Sequence, residues 1–143
     1  MLALFPIHGY TVYMMIDKEM NMTNYTIFQI NLTDAQVDEV NAAKGDYPEF
    51  YSKYLRTNFQ PKPEAILDAF DMYKPVAKIE ADSLEGVFHI GNMGPEEKIE
   101  RLDPMHSVSV GDLVFDPNTG IYYYVDSFGF GELPNEDVMK KVA

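Results

Sequence analysis

The side chains in this chain that could do chemistry are few. Its three histidines, His8, His89 and His106, are far apart, and none has a second histidine at the HxH or HxxxH spacing that holds a metal. His106, Ser107 and Asp112 together suggest a hydrolase. The GxSxG nucleophile elbow is missing, however, and adjacent residues on a strand point to opposite faces, so no catalytic residue is assigned. Asp82, Glu85, Glu96, Glu97, Glu100 and Asp103 cluster without the spacing of a calcium loop, and caps and solvation account for them. The glycines at 86, 91, 94, 129 and 131 match neither a P-loop nor GxGxxG, which leaves nucleotide binding without support. No cofactor and no metal are therefore expected.

The stretch with more to offer is Asp126-Ser127-Phe128-Gly129-Phe130-Gly131. Two phenylalanines among glycines either plug a core or project as anchors for a partner. With the tyrosines before them and the acid after, the candidate protein-binding residues are Tyr122, Tyr124, Phe128, Phe130 and Glu132. An apolar patch rimmed by acid is how such a surface would look.

Charge narrows the partner. Eleven Lys+Arg against 23 Asp+Glu give a net charge of −12. A chain this acidic lacks the cationic surface that phosphate backbones require, and anionic membranes repel it. The expected partner is a protein with a basic surface, with no direct nucleic-acid or membrane binding; the sequence does not settle the oligomeric state. Absence of cysteine excludes disulfides and thiol chemistry and fits a reducing cytoplasm. With 143 residues, 46% of them hydrophobic, the chain is long enough for one packed domain.

The elements that would position these residues follow from periodicity. Tyr25 to Asn31 alternates as a strand, with Tyr25, Ile27 and Gln29 facing one way and Thr26, Phe28 and Ile30 the other. Thr33 and Gln36 form a capping box for a surface helix from Asp34 to Lys44, which Gly45 ends. Asp46 is read as the start of a second helix, with Pro48 in its first turn. Tyr47, Phe50, Tyr51, Tyr54 and Leu55 would make its core-facing stripe. After Gln60-Pro61-Lys62-Pro63, a third helix is expected from Glu64 to Tyr73, with Ile66, Leu67 and Phe70 inward. Val76 to Ala81 reads as a strand. Asp82 with Glu85 would cap a helix through Leu84, Val87, Phe88 and Ile90 that stops near Gly91-Asn92. Met93 to Asp103 is a charged connection with one helical turn at Glu96 to Arg101.

Val108 and Val110 lead into a bend at Gly111-Asp112, and Leu113, Val114 and Phe115 continue as a strand. Asp116-Pro117-Asn118-Thr119-Gly120 is a turn signal. On the return strand Ile121, Tyr123 and Val125 share one face, with Tyr122 and Tyr124 on the other. One face of an antiparallel sheet is ordinarily buried and the other partly wet, and either set could be the buried one. The fold class is α+β, a mostly antiparallel sheet with a C-terminal hairpin and three to four packed helices.

HSVSVGDLV, a turn, and then YYYVDSFGFGEL resembles the C-terminal signature of the YodL-like domain, a small domain of bacteria, phages and mobile elements. NYTIFQI resembles that family's opening strand, and ADSLEGVFHIGNMGP its helix ahead of the signature. The resemblance spans Asn24 to Leu133, and Asp46 to Tyr73 is the part it matches least. Gly111 stands where the family often carries serine, a change that a bend would accommodate. The resemblance implies a single YodL-like α/β domain over residues 24–143, a mobile-element setting and no defined catalytic set. In that setting the chain would be a non-catalytic phage or mobile-element accessory protein in the bacterial host cytoplasm that binds and modulates a host protein.

Two other readings follow from the residues. An acidic DNA mimic could inhibit a DNA-binding host enzyme, as an antirestriction protein or an RNA polymerase inhibitor. Alternatively, VGDLV resembles strand openings of small RNA-binding β domains, with Tyr122, Tyr124 or Phe130 as stacking platforms. Met1 to Thr23 stands apart as an N-terminal extension. Its apolar run has no basic start and is broken by Pro6, His8 and Gly9, so it is a poor export signal and too short to span a bilayer. Translation could begin at Met20 or Met22, or Tyr10 to Ile16 could add a strand.

Overall fold

A computed structural model describes residues 21–142. The readings of His8, of an added strand at Tyr10 to Ile16 and of alternative starts through Met20 lie outside those residues. The chain folds as α+β around one six-stranded sheet in which every pairing is antiparallel. The strands are β1 (Thr23–Gln29), β2 (Lys74–Ala81), β3 (Ile99–Arg101), β4 (Leu113–Asp116), β5 (Ile121–Asp126) and β6 (Gly129–Glu132), in spatial order β3-β2-β1-β4-β5-β6. The helices are α1 (Asp34–Ala42), α2 (Glu49–Phe59), α3 (Pro63–Asp68), α4 (Leu84–Met93) and α5 (Asn135–Val142), with single 3-10 turns at Phe70–Met72 and Glu96–Lys98.

Both faces of the sheet are covered. On one, Tyr25 and Ile27 of β1, Ile79 of β2, Val114 of β4 and Val125 of β5 pack with Val87 of α4 and with Val108. On the other, Leu113 and Tyr124 pack with Ile66 of α3, Leu133, and Val138 of α5. Both residue sets of the return strand are thus used. This corrects the expectation of one dry and one wet face, because helices from different parts of the chain close on either side.

Local signals are realised where the bonding is local. Thr33 accepts from the Gln36 N–H at 3.1 Å while the Gln36 side chain accepts from the Thr33 N–H at 2.9 Å, a complete capping box. Helix α1 buries no residue, as its thin apolar stripe implies. The turn at Asp116–Gly120 closes with the Gly120 N–H donating to the Asp116 carbonyl at 2.8 Å.

Several boundaries differ. Helix α2 starts at Glu49, not Asp46, and its one buried residue is Thr57. Tyr47 is 49% exposed, and Phe50, Tyr51, Tyr54 and Leu55 are half-buried, so the aromatic stripe is not a core face. The third helix is shorter than expected: α3 ends at Asp68, and Lys74 and Pro75 already belong to β2. The cap of α4 is Ser83, whose Oγ accepts from the Gly86 N–H at 3.0 Å; Asp82 instead accepts from the Ser83 hydroxyl. Helix α4 runs on to Met93, past Gly91-Asn92. Strands β3 and β6 and helix α5 were not anticipated.

Candidate functional site

The hairpin of β5 and β6 carries the candidate binding residues and separates them sharply. Tyr122 is half-buried among Phe28, Phe70 and Phe115, with ring centroids 5.6, 5.7 and 4.6 Å away. Tyr124 is only 9% exposed and lies in the core with Ile66, Leu113 and Leu133. Its ring crosses directly over Gly131, its partner on β6, where an added Cβ would overlap the ring. Phe130, the cross-strand partner of Val125, is half-buried against the opposite face. Tyr124 is therefore removed from the candidate surface, a correction to its reading as an outward anchor, while Tyr122 and Phe130 are each half-buried. Burial of Tyr124 also takes away one of the rings on which RNA bases would have stacked, and among the described residues the sheet is open-edged rather than a closed barrel.

Phe128 is the exception. The Asp126–Gly129 pairing leaves Ser127 and Phe128 as the turn of the hairpin, and Phe128 is fully exposed at its tip. Among the described residues, β6 has no strand on its outer side; exposed Asp126 adjoins the tip, and exposed Glu132 lies at the far end of β6, opposite Tyr123. Unpaired N–H and C=O groups along such an edge can template an incoming strand.

A second site was not foreseen as a unit. Gln29 is completely buried at the end of β1. Its carboxamide donates to the His106 carbonyl at 2.9 Å, accepts from the His106 N–H at 3.1 Å, and donates to Asp112 Oδ2 at 3.0 Å. Asn31 donates to the Pro104 carbonyl at 2.9 Å and Asn92 to the Val108 carbonyl at 3.1 Å. Three side-chain amides thus fasten the segment between β3 and β4, supplying the backbone partners that a sheet would otherwise provide.

The fastened segment places Asp112 at the foot of a cleft of about 420 Å³ lined by Ile30, Tyr54, Thr57, Asn58, Tyr73, His106, Ser109, Val110 and Gly111. Gly111 adopts φ +92°, and a Cβ there would come within 2.5 Å of the Thr57 carbonyl, so only glycine lets the bend approach α2 this closely. The Tyr73 hydroxyl donates to the Gly111 carbonyl at 2.5 Å. Burial, with the nearby Asp112 carboxyl, raises the Tyr73 phenol above its ordinary range against the lowering effect of the Thr57 hydroxyl.

Asp112 is 5% exposed. Burial pushes its carboxyl up to about 6, opposed by the Ser109 N–H, by nearby His106 and by Gln29. Both hydrogen bonds to the carboxyl, from Gln29 and from the Ser109 N–H at 2.9 Å, converge on Oδ2. Oδ1 has no hydrogen-bond partner among the described residues. Among the described residues no fully buried side-chain oxygen lacks a partner, so Oδ1 keeps some exposed surface at the cleft.

This geometry does not assemble the hydrolase triad that His106, Ser107 and Asp112 suggest. The His106 Nδ1 is 2.8 Å from the Ser107 carbonyl, and no hydrogen bond joins a serine hydroxyl to the ring or to Asp112. No group of three His, Asp or Glu side chains among the described residues is arranged to hold a metal ion. No helix of the described residues is long and apolar enough to cross a membrane. The signal for the cleft was present in part: Gln29 is a polar residue in the inward register of Tyr25 and Ile27, and a buried polar side chain needs partners. Comparison with protein-family models, curated proteins and solved structures finds no match.

Proposed function

We propose that this chain is a non-catalytic protein-binding module that engages a basic-surfaced partner through the tip and outer edge of the β5–β6 hairpin. The observation that carries this reading is the contrast within one short segment: Tyr124 is in the core, Phe130 is packed, and Phe128 stands fully in solvent beside a strand edge that is unpaired among the described residues. A fully exposed aromatic at a hairpin turn suits insertion into a partner's pocket, and Tyr, Trp and Phe are enriched in interface cores. Asp126 beside it and Glu132 farther along the same edge, on a chain of net charge −12, favour a cationic rim opposite. In the mobile-element setting implied by the YodL-like resemblance, the partner is a protein of a bacterial host.

DNA mimicry has less support. It needs a row of free carboxylates on one face, whereas Glu49, Asp68, Glu80 and Glu96 are each paired with a Lys or Arg and Asp112 is buried.

A photo-reactive phenylalanine analogue at position 128, with Val37 as control position, tests the reading in bacterial lysate at low and moderate salt. One discrete adduct specific to position 128, displaced by excess unlabelled chain and weakened by salt, is expected. Equal labelling at both positions, or no displaceable adduct at either salt, overturns it. Displacement by duplex DNA would favour mimicry instead.

A further inference from the structure

We infer that the cleft above Asp112 is a binding site for an organic cation, a guanidinium or ammonium group, which would donate to Asp112 Oδ1. The inference is independent of what the hairpin binds.

Four observations carry it. Asp112 is 5% exposed, yet Oδ1 is left without a partner among the described residues while Oδ2 takes both available donors. The carboxyl is therefore held in place by one oxygen and presents the other. Second, the lining contains no Lys or Arg, and His106 is the sole nearby group able to carry positive charge. A carboxylate in a low-dielectric wall with no full counter-charge gains most from a charge-assisted N–H donor. Third, the walls suit an organic cation: Ile30 and Val110 are apolar, Tyr54 and Tyr73 are aromatic, and Asn58 adds a further polar group. Last, a metal ion would find only Asp112 and His106 here, since no three-residue ligand group exists among the described residues. Anions are disfavoured by the carboxylate itself and by the net charge.

The other groups packed around the carboxyl are Gln29 from β1, Tyr54, Thr57 and Asn58 from α2, Tyr73, and His106 and Ser109 from the fastened segment. Of these only His106, Tyr54 and Tyr73 titrate. The pH dependence of the site follows from the Asp112 carboxyl. Protonating that carboxyl removes its attraction for a cation, and binding should weaken as pH falls through about 6.

The test is a titration of the whole chain, followed by NMR, with methylguanidinium, with n-butylammonium and with a short neutral-ended peptide carrying one arginine. The expected result is saturable shifts at Tyr54, Tyr73, Ser109 and Asp112, at least tenfold weaker in Asp112→Asn. That variant keeps an acceptor for Gln29 and Ser109 and replaces the outward oxygen by a donor. The Asp112 carboxyl resonance supplies a readout that needs no variant: its titration midpoint should move down when cation is present. Binding of the free cations shows that the group alone suffices; binding of the peptide alone assigns the site to a protein-borne arginine. No saturable binding of any probe, or equal binding by Asp112→Asn, overturns the inference.

Discussion

Gln29 and Asp112, 83 positions apart in the chain, are joined by a 3.0 Å hydrogen bond inside the protein, and the same Gln29 carboxamide clamps the backbone of His106 from both sides. Neither residue is explained by its neighbours in sequence. Together they set the position of the whole segment leading into β4 and leave one carboxylate oxygen facing the cleft.

Replacing Gln29 by Ala should destabilise the fold by about 2–4 kcal/mol, because it opens a cavity and deprives His106 and Asp112 of their partners together. Urea unfolding would measure this. Hydrogen exchange should also quicken at the His106 amide more than at β2, since the clamp acts on the fastened segment.

Asp112 makes stability depend on pH. Its folded value of about 6 exceeds the ordinary 3.8, so the folded chain holds this proton more tightly than the unfolded one. The resulting stabilisation is complete below about pH 4 and is lost as pH rises through about 6, a change of about 3 kcal/mol at most. Other carboxylates titrate over the same range, so the quantity to follow is the difference in unfolding free energy between the wild type and Asp112→Asn. It should shrink in the wild type's disfavour from pH 4 to pH 7 and then level off.

Tyr124 and Phe128 should behave oppositely. Tyr124→Ala removes a core ring and uncovers Gly131, and is expected to cost about 3–5 kcal/mol. Phe128→Ala removes a side chain wholly in solvent and should stay within about 0.5 kcal/mol of the wild type. Thermal melts of the two variants decide the matter.

Gly131→Val should destabilise the hairpin by about 1–3 kcal/mol, since the new side chain would meet the Tyr124 ring. The cross-peaks between the Tyr124 ring and the residue 131 backbone, present in the wild type, should be lost or displaced.

At the start of α4, Ser83→Ala should cost about 1 kcal/mol by removing the acceptor for the Gly86 N–H. Asp82→Ala should cost less, because Asp82 touches the cap only through the Ser83 hydroxyl. Chemical denaturation of the pair separates the two roles.

What the sequence determined by itself is the set of features whose hydrogen bonds or side-chain periods are local. The β1 alternation, the Thr33–Gln36 capping box, the β4–β5 hairpin with its Asp116–Gly120 turn, and the α+β class all follow from residues a few positions apart. Helix α5 had a readable signal, acids at Glu136 and Asp137 followed by Lys140 and Lys141, which the macrodipole favours. Strands β3 and β6 did not: Ile-Glu-Arg and Gly-Phe-Gly-Glu have weak strand character alone and extend because β2 and β5 offer them partners. Tertiary structure alone decided which tyrosines are buried, since both faces of β5 look apolar and helices close over each. It alone brought Tyr73, His106 and Asp112 to one cleft with Gln29 bonded behind them, because those contacts are made by chain closure and not by spacing along the chain.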